Sequence, residues 1–180
     1  MSQHSNKQDL VITRVFDIPV EWVWKGWTDP KLVPLWWGPA HYTSPRSEID
    51  LRVGGKYIFC MQAPPAQGSH IYYNTGVYTK IVPYERLEFT QSLSDAHGNV
   101  LDPADVGMPP DFPREVEFVI AFKALGDART ELTITEHEWA PGQMAKFAEL
   151  GMEQSLDKFA ASIGQLIKTA DSYGDDKHAK

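Results

Sequence analysis

The chain has 180 residues, of which 42% are hydrophobic and 12% aromatic, so it has room for one ordinary domain with a substantial core but no apolar stretch long enough to span a bilayer. Its formal net charge of -7, without any cluster of lysine and arginine, argues against nucleic acid and anionic membranes as partners. The single cysteine, Cys60, excludes an internal disulfide and the first residues lack the pattern of a secretory signal, so we expect a cytoplasmic protein without membrane insertion.

The first part of the chain predicts one strand followed by two short helices. Residues 10–18 favour a strand, and Pro19 opens a helix whose apolar residues recur on one face. A second short helix starts after Asp29 and ends at the Gly38-Pro39 break. On that helix Trp36 is expected to face inward. Trp37, rotated by about a hundred degrees, is expected to face outward and to be free for a partner or dimer contact.

The middle of the chain alternates between apolar and polar residues in the manner of antiparallel strands. Period two is seen around residues 49–61, 71–82, 87–93, 116–122 and 132–136, with turn residues between these segments. Residues 94–115 are rich in turn formers, as is typical of a long loop or a lid. Residues 143–168 then repeat apolar side chains at helical spacing, which predicts a long amphipathic helix lying on the sheet.

These elements predict an α+β fold in which a curved antiparallel sheet of about six strands wraps around the long C-terminal helix. We expect a single domain over residues 9–168, a disordered N-terminus over 1–8 and a frayed tail over 169–180. A sheet that wraps one helix leaves a concave space between the two, and this space is where we expect a small molecule to bind.

Six short motifs lie in a fixed order within residues 10–168. They comprise Phe16, Pro19, Val23 and Trp24; Trp27, Thr28, Asp29 and Pro30; Trp36, Trp37, Gly38 and Pro39; Asp50, Arg52, Gly54 and Gly55; Pro83, Arg86, Leu87, Phe89 and Thr90; and Gly151, Leu156 and Phe159. In their order and spacing these motifs resemble those of the activator of the ninety-kilodalton heat-shock chaperone's ATPase, specifically its C-terminal-type domain. The resemblance implies the START-like (SRPBCC) superfamily and its helix-grip fold, which the birch-pollen allergen and polyketide cyclases share. Met152 and Gln91 depart from the family's pattern, in which tryptophan is usual, and both are expected to face the cavity.

The sequence contains no recognisable catalytic motif, since a nucleophile elbow, a phosphate-binding loop and a dinucleotide fingerprint are all missing. The six histidines do not stand at metal-ligand spacing from other ligand residues, so we expect no metal and no cofactor. In the strand that contains Glu136, His137 and Glu138, the two carboxylates are expected on one face and the histidine on the other. This arrangement would prevent the three from meeting at one ion.

Glu136 is a weak candidate for a catalytic residue because it continues the inward register of Leu132 and Ile134. A desolvated carboxyl there would have a raised pKa and could act as an acid or base toward a bound molecule. The interpretation favoured by the sequence places it at the cavity mouth instead, solvated or paired with an arginine. The role of Gln91 also has more than one interpretation. Its inward amide needs a hydrogen-bond partner, which a ligand, a water or a neighbouring side chain could supply.

The favoured function is the binding of a small hydrophobic or aromatic molecule in the internal cavity. The side chains expected to line it are Trp36, Tyr57, Phe59, Met61, Phe89, Gln91, Phe118, Phe122, Ile134, Glu136, Phe147 and Met152. In this fold the residues that make the core also border the pocket. The apolar residues of this set could therefore be ordinary core residues that contact no ligand.

Two other functions remain open. The resemblance implies a co-chaperone that stimulates the heat-shock chaperone's ATPase, although the eukaryotic activator carries a separate N-terminal domain for which this chain has no room. The cavity also allows an enzyme of polyketide cyclase or hydrolase type, with Glu136 as general base. The sequence leaves the ligand unassigned and allows a monomer or a homodimer.

Overall fold

Seven strands and two α-helices are formed by residues 6–175, the part of the chain that a computed structural model describes, with side chains described through residue 171. The strands are β1 (Gln8–Phe16), β2 (Ser47–Ile49), β3 (Lys56–Gln62), β4 (Ile71–Val82), β5 (Arg86–Ser94), β6 (Val116–Ala124) and β7 (Thr130–Trp139). The helices are α1 (Val20–Thr28) and α2 (Gln143–Asp175). Short 3-10 turns occur at Val33–Leu35, Pro65–Gln67 and Pro103–Val106.

The seven strands form one antiparallel sheet in the order β1-β7-β6-β5-β4-β3-β2. The α+β architecture predicted from the sequence is confirmed, with seven strands in place of about six. Side chains that face the helix lie side by side on neighbouring strands. Phe89 on β5 pairs with Phe118 on β6, and Phe118 pairs with Glu136 on β7. A residue on one strand therefore lies beside the corresponding residue of the next, which is how the sheet assembles a continuous floor.

The second of the two predicted short helices is only the single 3-10 turn Val33–Leu35. Trp36 follows it with a backbone φ of -139°, which is not helical, so the rotation expected for Trp37 does not apply. Both tryptophans are buried, and Trp37 packs edge-on against Phe59 with ring centroids 5.0 Å apart. The expectation that Trp37 is free for a partner or dimer contact is therefore wrong.

The long helix begins at Gln143, as predicted, but continues to Asp175 and does not end at Lys168. Neither glycine nor proline interrupts the sequence between Lys168 and Gly174, so nothing in that stretch opposes the helix. Residues 169–175 of the expected tail are accordingly helical. At the other end β1 already begins at Gln8, and residues 1–5 and 176–180 lie outside the described residues.

One half of the space between the sheet and α2 is filled by large side chains. α1 approaches α2 at Gly26, where a Cβ atom would lie 2.5 Å from the Phe159 ring. Trp36 Nε1 donates a hydrogen bond to the Gly26 carbonyl at 2.8 Å. Phe89 and Phe118 stack on the sheet with centroids 5.0 Å apart. The other half, under the first turns of α2, is not filled in this way and contains the site.

Candidate functional site

A cavity of about 350 Å³ lies between the sheet and the first turns of α2. Its wall is formed by the sheet, by α2, by the loop between β5 and β6 and by the segment that follows the first 3-10 turn. The lining residues are Trp37, Gly38, Pro39, Tyr42, Met61, Tyr72, Asn74, Gln91, Leu93, Met108, Phe112, Phe118, Glu136, Trp139, Met144, Phe147, Ala148, Gly151, Met152 and Ser155. This volume is at the lower end of the range for small-molecule sites.

The floor of the cavity is the part of the sheet where large apolar side chains give way to polar ones. On β5 the inward row passes from Phe89 in the filled core to Gln91 on the cavity wall. On β7 it passes from Ile134 to Glu136 in the same way. Through Phe118 on β6, Phe89 lies level with Glu136, so the change on β7 comes one inward residue nearer to the core than the change on β5. The boundary between core and cavity therefore runs obliquely across the sheet.

The roof is formed by small or flexible side chains of α2. Met144, Ala148 and Met152 recur at helical spacing, and Gly151 adds a position without a side chain. A Cβ atom at Gly151 would have one neighbour within 4 Å, Pro39 at 3.8 Å, so the glycine leaves open space. Met152 and Gln91, the two positions that depart from the resembled family's pattern, both lie on the cavity wall.

The segment from Trp37 to Tyr42 forms one side of the cavity and is fastened to α2. Lys158 Nζ donates hydrogen bonds to the backbone carbonyls of Pro39 (3.2 Å) and Tyr42 (3.1 Å). Partial burial lowers the pKa of Lys158. The Ala40 N–H also donates to the side chain of Gln154 at 3.0 Å. The helix therefore holds the backbone of this wall as well as forming the roof.

The long loop between β5 and β6 covers the remaining side. Met108 and Phe112 from this loop face the cavity, and the Phe112 ring lies edge-on to Trp139 with centroids 6.2 Å apart. Asp111 Oδ2 accepts a hydrogen bond from the backbone N–H of Met144 at 3.4 Å, which attaches the loop to the first turn of α2. The segment over residues 94–115, predicted as a long loop or a lid, therefore forms part of the cavity wall.

Glu136 is buried on the cavity floor, with 3% of its surface exposed. Burial raises the pKa of Glu136 to about 8, and the neighbouring Trp139 indole opposes this shift. Trp139 Nε1 does not reach hydrogen-bond geometry with any described residue, so desolvation dominates. Lysine, arginine and histidine are all missing from the lining residues. The expectation of a solvated or arginine-paired carboxylate is therefore wrong, and the carboxyl is mostly protonated at neutral pH.

A β-bulge at the end of β7 brings Trp139 to the same face as Glu136. Glu138 has a positive φ of 62°, and the register with β1 shifts between Gln8 and Leu10. Glu138 is exposed whereas Glu136 is buried, so the expectation that these two carboxylates share a face is wrong. Strict alternation would place a residue three positions along on the opposite face, and for that reason the sequence pattern does not predict Trp139 in the site.

The side chains expected to line the site divide equally between cavity wall and filled core. Those on the wall are Met61, Gln91, Phe118, Glu136, Phe147 and Met152. Those in the core are Trp36, Tyr57, Phe59, Phe89, Phe122 and Ile134. Alternation predicts which face a side chain occupies, but it does not show how far along each strand the core is filled.

Several wall residues were not among those expected from the sequence. Met108 and Phe112 are apolar residues in an otherwise polar loop, and that contrast was the available signal for them. Asn74 carried a signal too, as an amide in a strand rich in tyrosine. Trp37 and Trp139 depend on a 3-10 turn and a bulge, for which the sequence offers no comparable signal.

A second hollow, of about 470 Å³, opens on the surface beside the cavity. Charged side chains of both signs line it, among them Lys7, Arg114 and Glu117, together with His137. His137 is already paired with Asp9 at 3.1 Å. Although this hollow is larger, its charged groups are accessible to water and need no ligand, so the apolar cavity is the candidate site.

Two general features of residues 6–175 bear on the kinds of site the chain can hold. Within that range, no three or more His, Cys, Asp and Glu side chains are grouped so that they could hold a metal ion. Likewise, none of the helices described there combines the length and apolar character needed to cross a membrane.

Comparison with known proteins identifies a family and a set of similar folds. The family model described as Activator of Hsp90 ATPase homolog 1-like protein matches residues 17–164, whereas no curated protein matches the chain. A solved structure from Arthrobacter aurescens is 24% identical with a TM-score of 0.70, over 91% of this chain and 90% of that one. One from Chromobacterium violaceum is 23% identical with a TM-score of 0.67, over 86% and 96%. A protein named AHSA1 from Silicibacter pomeroyi is 22% identical with a TM-score of 0.67, over 88% and 99%. At these identities the solved structures show a shared fold.

Proposed function

This chain belongs to the family of Activator of Hsp90 ATPase homolog 1-like proteins, and we propose that it binds a small hydrophobic or aromatic molecule in the cavity under α2. The observation that carries the proposal is the cavity itself, which has a volume of about 350 Å³ and a mostly apolar wall. Since one fold hosts many functions, the composition of this wall supports the proposal more than the fold does.

The methionines of the chain are concentrated at the cavity. All four that follow Met1, namely Met61, Met108, Met144 and Met152, are on its wall. Methionine is unbranched and polarisable, so its side chain adapts to apolar partners of different shape. A wall of methionine and aromatic side chains favours a ligand with a flat or irregular apolar body, because burial of that surface contributes about 25 cal/mol for each Å².

The cellular setting and assembly of the protein are part of the proposal. The lone cysteine, Cys60, is buried and its thiol donates to the Arg46 carbonyl at 3.2 Å, which suits a protein of the reducing cytoplasm. We place the binding activity there. The described cavity is lined by residues of one chain, so a monomer is sufficient to form it.

A second candidate, proton transfer to the bound molecule, is favoured by the buried Glu136 carboxyl. A group with a pKa near 8 can donate and accept a proton at neutral pH. Nitrobenzisoxazole tests this directly, because a carboxylate that removes its ring proton opens the ring to a coloured cyanophenolate. Catalysis that rises as the carboxyl ionises and is lost in Glu136→Gln would support the candidate, whereas equal rates in both proteins would exclude it.

The family's description names a third candidate, stimulation of the heat-shock chaperone's ATPase. The ATPase rate of the purified chaperone, measured with and without this protein, tests it. An increase in rate would support a co-chaperone role, and an unchanged rate at saturating protein would count against it.

Binding itself is tested with phenylnaphthylamine, an uncharged probe whose fluorescence rises in apolar surroundings. We expect a saturable increase with one probe bound per chain. Gly151→Leu fills the space below the helix and should weaken binding at least tenfold, because the new side chain occupies the probe's volume.

Gly164→Leu is the matched control for this substitution. Gly164 lies on the same helix and a Cβ atom there would meet nothing within 4 Å, but it is not a lining residue. Both substitutions raise helix propensity by about the same amount. If the two variants bind the probe as well as the unmodified protein, the probe is bound elsewhere and the proposal fails.

A further inference from the structure

Three polar side chains form a band across the floor of the cavity. Asn74 lies on β4, Gln91 on β5 and Glu136 on β7, and all three are lining residues. Asn74 is 7% exposed and Glu136 is 3% exposed. Gln91 Oε1 is buried and has no hydrogen-bond partner among the described residues. Buried polar groups are normally paired, so this band needs an explanation.

The indole nitrogens of the wall show the same feature. Trp37 Nε1 and Trp139 Nε1 are buried donors without a partner in the described chain, and both tryptophans are more than nine-tenths buried. Unpartnered atoms also occur at Trp27 and Tyr78, which are in the filled core. The remaining three of these atoms belong to lining residues, so the unmet hydrogen-bonding capacity is concentrated around the cavity.

The charge of the wall restricts what can meet this capacity. Glu136 is the single acidic residue among the lining residues, and no lysine, arginine or histidine accompanies it. An anionic ligand would find no positive partner and would face a carboxyl group. A carboxylic acid in its ionised form is therefore disfavoured.

A cationic ligand matches the band less well than an uncharged one. An ammonium group offers donors alone and would leave the indole N–H groups of Trp37 and Trp139 without acceptors. It would also require an ion pair to form in a site that excludes most water. A hydroxyl or carbonyl oxygen accepts from these donors, and a hydroxyl also donates to the amide oxygens or to the Glu136 carboxyl.

We propose that the cavity selects uncharged molecules that carry a hydroxyl or carbonyl group on an apolar body, with the oxygen directed toward the polar band of Asn74, Gln91 and Glu136. This inference rests on the proposed function and specifies the ligand class of the same site. The apolar body lies against the methionine and aromatic wall. A hydroxyl donates to the unpaired Gln91 Oε1, and a hydroxyl or carbonyl oxygen accepts from an unpaired indole N–H of Trp37 or Trp139. Discrimination against a ligand without the oxygen comes from the buried groups that it would leave unpaired.

Four molecules that share one ring system test the inference: naphthalenemethanol, methylnaphthalene, naphthoate and naphthylmethylammonium. Their affinities are measured at neutral pH by displacement of phenylnaphthylamine. We expect naphthalenemethanol to bind about tenfold more tightly than methylnaphthalene, as two net hydrogen bonds would give, and naphthoate to bind most weakly. Equal binding of the alcohol and methylnaphthalene, or tightest binding of the ammonium or the carboxylate, would overturn the inference.

Two variants locate the effect. Glu136→Leu should abolish the preference for the alcohol while keeping methylnaphthalene binding, and Gln91→Leu should do the same if the first variant does not fold. If both single variants fold and each still prefers naphthalenemethanol to methylnaphthalene as strongly as the unmodified protein does, the assignment of the oxygen to this band is contradicted. If the probe itself does not bind, the proposed function fails. If the probe binds but the alcohol is not preferred, the ligand-class inference alone fails, so the two failures are distinguishable.

Discussion

Replacing Glu136 by glutamine isolates the titration of the buried carboxyl. In the folded protein its pKa is raised to about 8 by burial, whereas the ordinary value is 4.5. Between these two values the unfolded chain releases a proton that the folded chain retains. The unfolded state then binds fewer protons, so the free energy of unfolding falls as the pH rises through this window. Glutamine has a similar shape and no proton to release.

The size of this effect follows from the two pKa values. At ~1.4 kcal/mol for each pH unit, the interval from 4.5 to about 8 corresponds to about 5 kcal/mol, of which about 3 kcal/mol is reached by pH 7. The stabilising contribution is fully present below pH 4.5 and is lost as the pH approaches 8. We therefore expect Glu136→Gln to gain stability relative to the unmodified protein by on the order of 3 kcal/mol between pH 4.5 and pH 7.

Urea unfolding monitored by tryptophan fluorescence measures this difference between about pH 5 and pH 8. Glu131→Gln is the matched control, because Glu131 lies on the opposite face of the same strand and is partly exposed. Subtracting the unmodified protein removes all other titrations that the variants share. A difference for Glu136→Gln that stays constant with pH, or one that matches the Glu131 control, would refute the conclusion that Glu136 is desolvated and unpaired.

Three further changes test the contact between α1 and α2 and the contacts that hold the loop and the cavity wall to α2. Asp111→Ala removes an acceptor from the first turn of α2, so we expect about 1 kcal/mol lower stability in urea and faster release of phenylnaphthylamine in stopped-flow fluorescence. Gly26→Ala places a Cβ atom 2.5 Å from the Phe159 ring and should lower the unfolding free energy by about 1–3 kcal/mol. Lys158→Met leaves two backbone carbonyls of the cavity wall without their donor and should cost about 1 kcal/mol while weakening the probe's binding.

Each of these changes has an outcome that contradicts its premise. Unchanged release kinetics in Asp111→Ala would mean that the loop does not restrict the cavity. A stable Gly26→Ala protein would mean that α1 and α2 can separate at no cost, and Gly164→Ala is its control because the open position gains helix propensity. Full stability and unchanged probe affinity in Lys158→Met would mean that the wall does not depend on this lysine.

The fold could be predicted because its signals are local and repeated. The inward row of β6, with Val116, Phe118, Ile120 and Phe122 at period two, specifies a strand with one buried face. The seam of α2 is equally regular from Met144 onward. When such signals continue along several segments, the antiparallel arrangement and the covering helix follow from burial alone.

The site was only half predictable because its position depends on distances that no local pattern contains. Phe89 and Gln91 have the same inward register, but the first packs in the core and the second faces the cavity. Glu136 is buried because the first turns of α2 and the β5–β6 loop extend over it, and the alternation within β7 contains no information on where either element packs. Trp37 reaches the wall after a 3-10 turn and Trp139 after a bulge. Each of these local irregularities turns the following side chain away from the face that regular spacing predicts.

The claim that the cavity is a ligand site is tested most directly by the methionine methyl groups. Met61, Met108, Met144 and Met152 come from a strand, a loop and a helix and meet at the cavity. In methyl-labelled protein, we predict that naphthalenemethanol shifts the resonances of all four in a saturable manner and that Gly151→Leu suppresses these shifts. Four unmoved methionine resonances at a saturating concentration of naphthalenemethanol would contradict the claim.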